Sequence, residues 1–399
     1  PMQIMEHKMS MLLLKNGEVY APCPLGSRDI LIGSDRIISI GSDIDLSDSI
    51  PDVETIDASG CIVVPGLIDG HQHFIGGGGE GGFETRTPEL QISMNFLNGV
   101  TTAIGLLGTD SLTRSLEDLY AKTKAFNTEG MTAFMLTGAY WYPSPSITGS
   151  VAKDILFCDP VIGVKLALSD TRGPYMDVAD LARLASDVFV AALIANKPGI
   201  ITVHTGIRPQ ALDLIMEVIK NPGIRPAMFV PTHINRKNPK LLDQVFELAK
   251  GGGMVDATCR KEVNANSENM SAADFAMLAR EKGLLDHVTF SSDAGGSLPE
   301  WNGDHSRITG MGIGTPETLM FELRNLVQQK HLPLEEALLP LTSNPARNYG
   351  LEGRKGTIRE EADADILVLE SDGLEIRDVI SRGRLVVRRG EVIKKGYFE

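Results

Sequence analysis

Eight apolar runs, each strand-like and most followed by a helix-like segment, dominate the middle of this 399-residue chain. They are CIVVPGLIDGHQH, TTAIGLLG, TAFMLTGAY, VIGVKLALSD, GIITVHTG, AMFVPTHIN, GMVDATC and HVTFSSDAG. Between them lie segments such as SLTRSLEDLYAKTKAFN and DVADLARLASDVFVAALIAN, which have the composition of helices. Continuous apolar strands separated by helices belong to a parallel sheet covered on both faces. Eight such units over about 280 residues predict an α/β fold, a (β/α)8 barrel of the TIM type.

The two ends of the chain read differently. MLLLKNGEVY and DILIGSDRIISIG are short strands with a hairpin turn around Gly33-Ser34-Asp35. ADILVLE and DVISRGRLVVRRGEVIKKG repeat that texture at the C-terminal end. Neither end holds enough apolar residues to close a core alone, so the two are expected to meet in one small β domain. The expected division is residues 1–65 and 350–399 in that domain and 66–349 in the barrel. Residues 1–8 read as a disordered or appended lead.

Charge and cysteine usage narrow the partners. The net charge of -14 opposes binding to phosphate backbones and anionic bilayers, so no nucleic-acid or membrane partner is expected. No apolar run approaches the length of a bilayer span, and the run of four before Lys15 is too short for a secretion signal. Cys23, Cys61, Cys158 and Cys259 are scattered and form no CxxC pair, which fits a reducing compartment and a cytoplasmic location.

In such a barrel the chemistry sits where strands end. The strand ends carry His71, His73, Tyr140, His204, His233 and Asp293, and Lys165 lies within the fourth strand. Alternate residues of a strand share a side, so His71 and His73 can reach one ion. Taken alone, His204 and His233 each suit a core histidine. Four of the chain's eight histidines on one rim make a shared metal the better reading. Lys165 is costly to bury charged, and desolvation lowers its pKa. It either pairs with an acid such as Asp170 or, neutral, captures carbon dioxide as a carbamate whose oxygens bridge two cations; among these ligands the carbamate is favoured. Asp293 suits a helix N-cap or, opposite the first strand, a metal ligand that also carries protons, and the second reading is preferred.

These motifs, with GLIDGHQHFIGGGGEGG, LLGTDS, MLTGAY, PTHINR, SSDAGGS and RTPE at 86–89, resemble the amidohydrolase superfamily and, within it, the isoaspartyl (β-aspartyl) dipeptidase family. The resemblance covers almost the whole chain. It implies two zinc ions bridged by N6-carboxylated Lys165 and a hydroxide, although other divalent metals suit the ligand set. His71, His73 and Asp293 would hold one ion, His204 and His233 the other. It further implies attack by metal hydroxide on the isopeptide carbonyl of a β-aspartyl dipeptide, Tyr140 stabilising the oxyanion and Asp293 accepting and returning the proton. Substrate recognition would fall to Gly78, Gly79, Glu80, Thr109, Tyr140, Arg172, Arg236 and Ser297. Glu80 would meet the substrate ammonium and the arginines its two carboxylates. A homo-oligomer, an octamer by resemblance, is expected. ATCRKEVNANSEN and the Ala-Gly-Gly-Ser after Asp293 depart most from the family pattern. The alternative is another amidohydrolase, such as a D-aminoacylase or a cyclic amidase.

Overall fold

The computed structural model describes residues 11–46, 53–173, 175–261, 268–302 and 307–399. The anticipated lead over residues 1–8 lies outside the described residues, as does the centre (262–267) of the divergent loop after the seventh strand.

Eight parallel strands form the barrel in chain order: Leu67–Gln72, Val100–Gly105, Thr132–Gly138, Val161–Leu168, Ile200–Thr205, Phe229–Thr232, Val255–Thr258 and Val288–Ser291. The first and last approach through a parallel bridge between Gln72 and Ala294, with His73 N–H donating to the Ala294 carbonyl at 2.7 Å. The strands are buried almost throughout, as strands covered on both faces must be. Helices between them start where side chains accept the free N–H groups of the first turn. Ser115, Ser150, Asp177, Asn238 and Ser271 all do so, and Asp177 with Asp180 completes a reciprocal capping box.

The chain ends share a second sheet, as their composition required. Cys61–Pro65 pairs on one side with Met11–Tyr20 and on the other with Ile366–Glu370, which continues into the C-terminal strands. Pro24–Gly33 and Arg36–Gly41 flank the expected turn, where Ser34 adopts φ 57°. Leu12, Leu14, Ile30, Ile32, Val63, Ile366 and Val368 form a core separate from that between barrel and helices.

Two features differ from the sequence reading. CIVVPGLIDGHQH is not one strand: Cys61–Pro65 serves the terminal sheet and Leu67–Gln72 the barrel. Gly66 is the joint, donating to the Asp365 carbonyl at 2.8 Å; a Cβ there would lie 2.3 Å from Thr101 Oγ1. An antiparallel ribbon, Ser297–Trp301 with Ile308–Ile313, also follows the last barrel strand, and it was not anticipated. No helix among the described residues is long and apolar enough to cross a membrane.

Candidate metal and substrate site

The strand ends bring the expected side chains together. Lys165, wholly buried, places Nζ 3.4 Å from His71 Nε2. Asp293 Oδ1 lies 3.2 Å from His73 Nε2 and 3.4 Å from His71 Nε2. The His233 ring stands 5.2 Å from that of His71 and 4.7 Å from that of His204. His71, His233 and Asp293 each offer a ligand atom within 4.8 Å of the others. His233 and Asp293 follow their strands at positive φ, 61° and 56°, so the chain turns sharply at both residues.

Burial sets the charge states. It lowers His71 and His233 well below the usual imidazole range and His204 to about 3, so all three are neutral at neutral pH. Lys165 falls to about 7 through burial, against the pull of Asp293 and Asp256. Burial works against ionisation of Asp293, but His71, His73 and Lys165 outweigh it and hold the carboxyl low. Burial raises the Tyr140 hydroxyl above its ordinary range, so it stays an O–H donor.

The donor set fits divalent cations. Asp293 Oδ1 lies within 3.4 Å of Nε2 of both His71 and His73, so a carboxylate oxygen and two imidazole nitrogens converge on one point, while the Nδ1 atoms of both rings are buried with no hydrogen-bond partner among the described residues. Neutral imidazoles and an ionised carboxylate in contact are the protonation states a cation requires. The other two rings are oriented from behind: His233 Nδ1 lies 2.6 Å from Thr258 Oγ1, and His204 Nε2 lies 2.7 Å from Asp170 Oδ2.

Above this cluster opens a cavity of about 480 Å³. Its wall includes Gly78, Glu80, Thr109, Tyr140, Arg172, Arg236 and Ser297, while Gly79 lies outside the lining. Glu80 accepts from Arg172 Nη1 at 2.9 Å, from Thr109 Oγ1 at 3.1 Å and from Ser297 Oγ at 3.1 Å. Arg236, pushed down to about 10 by burial and by neighbouring Arg260, donates to the Gly206 carbonyl at 2.6 Å.

The glycine run before Glu80 is held tightly. A Cβ on Gly76 would meet the Thr87 carbonyl at 2.3 Å, and one on Gly78 the Thr85 carbonyl at 2.5 Å, both at φ 77°. Thr87 Oγ1 accepts from Gly77 N–H at 2.6 Å and donates to the Gly295 carbonyl at 2.6 Å, while Arg114 donates to the Gly77 and Thr87 carbonyls at 2.9 and 3.0 Å. The run is thus threaded past residues 85–87, which bring Glu80 over the cavity.

Sequence reasoning missed several neighbours. Asp170, considered there as a partner for Lys165, binds Arg172 and His204 instead. Arg260, Glu268, Leu298 and Pro299 also line the cavity; the last two ride on the unforeseen ribbon. Thr87 and Arg114 left no local signal, because their bonds span 10 to 208 residues.

The barrel and its rim of histidines, lysine and aspartate are those of a hydrolase of the amidohydrolase superfamily, and comparisons agree. Residues 272–394 match the Amidohydrolase family model. A dihydroorotase of Clostridium acetobutylicum is 26% identical over 91% of this chain and 90% of its own length. A D-hydantoinase structure, 18% identical with a TM-score of 0.70 over 96% of this chain and 97% of its own, shares the fold. The β-aspartyl dipeptidase of Fervidobacterium islandicum AW-1, solved in complex with β-Asp-Leu, is 38% identical with a TM-score of 0.88, over 96% of this chain and 98% of its own. The chain belongs to the β-aspartyl dipeptidase family.

Proposed function

We propose that this hydrolase cleaves the isopeptide bond of β-aspartyl dipeptides at a centre of two divalent cations, zinc by ligand type. Carrying the proposal is the Glu80–Arg172 ion pair, 2.9 Å apart at the mouth of a histidine-lined cavity. A carboxylate beside a guanidinium complements the ammonium and carboxylate of an α-amino acid head group. Hydantoins and dihydropyrimidines carry no ammonium and offer Glu80 only neutral ring N–H groups.

His71, His73 and Asp293 would hold one ion and His204 and His233 the other. Lys165 would bridge them after its neutral amine adds to carbon dioxide and loses a proton, giving N6-carboxylysine. Burial to a pKa of about 7 supplies the neutral amine that this reaction needs. Such ions supply an electrophile for the amide carbonyl and make water acidic near neutral pH.

The chain's own groups do the rest. Glu80, with Thr109 and Ser297 steering its oxygens, receives the ammonium. Arg172 and Arg236 receive the carboxylates, and the backbone at Gly78 lines the cavity beside them, with Gly79 next in the chain but outside the lining. Tyr140, kept protonated by burial, donates to the oxyanion that develops on the carbonyl. Asp293 accepts a proton from the attacking water and passes it to the leaving amine.

Self-association is part of the proposal. Phe157, Val190, Leu193 and Ile194 lie exposed on two packed helices, Val151–Phe157 and Val178–Ala195, and support a homo-oligomer, an octamer by family likeness. Light scattering on the purified protein measures its size.

Turnover of β-Asp-Leu, α-Asp-Leu, an N-acetyl amino acid and a hydantoin tests the function. Hydrolysis of β-Asp-Leu well above the other three is expected. Preference for the hydantoin would instead make the protein a cyclic amidase, and preference for the N-acetyl amino acid an aminoacylase.

A further inference from the structure

Asp170 makes four hydrogen bonds with two oxygens. Oδ1 accepts from the Arg172 backbone N–H at 2.8 Å and from Arg172 Nε at 3.0 Å. Oδ2 accepts from Arg172 Nη2 at 2.9 Å and faces His204 Nε2 at 2.7 Å. An ionised carboxylate has about four acceptor sites, and here all four are taken. The residue is buried and belongs to the loop after the fourth strand, Val161–Leu168, whereas His204 sits in the fifth.

Two consequences follow for the neighbours. A carboxylate only accepts, so the proton of His204 lies on Nε2 and the lone pair on Nδ1. That lone pair faces the rim, where Tyr140 Oη now lies 2.6 Å away. Arg172 Nη2 stands 3.4 Å from His204 Nε2; both are donors, so this contact is no hydrogen bond and holds only because Asp170 lies between them. The same carboxylate clamps the Arg172 fork by two of its nitrogens and leaves Nη1 alone to reach Glu80.

We propose that Asp170 is a positioning residue that couples the two halves of the site: it fixes His204 as a metal ligand through Oδ2 and aims Arg172 at a substrate carboxylate through both oxygens. The proposal rests on the dipeptidase reading for its substrate half and on the metal reading for the rest. Without the carboxylate, ligand ring and guanidinium lose orientation together.

Asp170→Asn keeps the shape but puts an amide NH2 against donors, so at least one neighbour loses its acceptor. Metal-free protein is titrated with zinc in competition with a chromophoric chelator, and separately with β-Asp-Leu by calorimetry, so neither readout depends on catalysis. Asp170→Asn is expected to weaken zinc about 10- to 100-fold, the usual effect of removing a group behind a metal ligand. It is expected to weaken the dipeptide about 10-fold or more, in line with the loss of a hydrogen bond to a charged group. Arg172→Met separates the halves: dipeptide binding falls while zinc affinity stays within about threefold. Asp170→Asn leaving either affinity within threefold of the wild type overturns the coupling. Should that variant fail to fold by circular dichroism, Asp170→Glu, which retains the charge but displaces it by one methylene, faces the same criteria. Wild-type protein that, loaded with zinc, does not hydrolyse β-Asp-Leu removes the dipeptidase reading and the substrate half with it, and the zinc titration then decides the metal half alone.

Discussion

Replacing Glu80 by glutamine isolates the group to which the proposed function assigns substrate choice. The side chain is 8% exposed, and its oxygens accept from Arg172, Thr109 and Ser297. Glutamine keeps the volume, and the two hydroxyls can rotate to donate to its carbonyl or accept from its amide. Arg172 keeps its clamp from Asp170, so the pocket should hold its shape. What disappears is the negative charge facing a substrate ammonium. A hydrogen bond to a charged group contributes about 1.5–3 kcal/mol, which corresponds to a loss of about 10- to 150-fold in kcat/KM for β-Asp-Leu. The loss should appear mainly in KM, since the ammonium is not a reacting group and its charge does not change as the amide bond breaks. The control is succinyl-leucine, the same substrate without its amino group. Its kcat/KM should change little, because it has nothing to offer Glu80. Steady-state assays of both compounds with both proteins decide the matter. An equal loss for the two compounds, or a loss below threefold for β-Asp-Leu, refutes the ammonium role.

Three further outcomes are expected. Lys165→Ala should lose most bound zinc by elemental analysis and lose hydrolysis with it; added acetate or propionate should restore part of both by supplying a carboxylate to the vacated space. Gly163→Ala should lower the melting temperature by several degrees, because the new Cβ would lie 2.1 Å from the Ile200 carbonyl, between the strands that carry Lys165 and His204, and overpacking of this kind costs about 1–3 kcal/mol. Burial raises Asp256 from 3.8 to about 7, so the folded state binds its proton more tightly than the unfolded chain does; that contribution is fully present below about pH 4 and lost as pH rises through about 7. In metal-free protein, Asp256→Asn should therefore raise the melting temperature more at pH 8 than at pH 5, and a difference independent of pH counts against the raised pKa.

The convergence of His71, His73, Lys165, His204, His233 and Asp293 on one rim was readable because strand ends and residue types report together. Lys165 inside an unbroken apolar run has few structural excuses, and His71-x-His73 follows directly from the two-residue repeat of a strand. The meeting of the chain ends was readable from their shared shortage of core residues. Less accessible was anything set by distant partners. Asp170 follows a serine at a strand end and looks like an ordinary turn residue; its tie to His204 exists only because adjacent barrel strands place the two loops side by side. Thr87 and Arg114 reach the glycine run from sequence positions that share no motif with it. Gly66 cuts what reads as one apolar run into strands of two different sheets, since hydrophobicity reports burial and not which sheet provides it. The ribbon of 297–301 with 308–313 hid behind its glycines and Pro299, residues that usually argue against a strand.

The sheet shared by both ends has a bearing on how the molecule is made. Cys61–Pro65 leaves the ribosome early, yet its partner Ile366–Glu370 follows about 300 residues later, after every barrel strand. During translation the edge bearing Val63 and Val64 therefore stays open, and an unpaired apolar edge invites pairing with other chains. Slowing synthesis between the two segments should therefore raise the share of chains that aggregate.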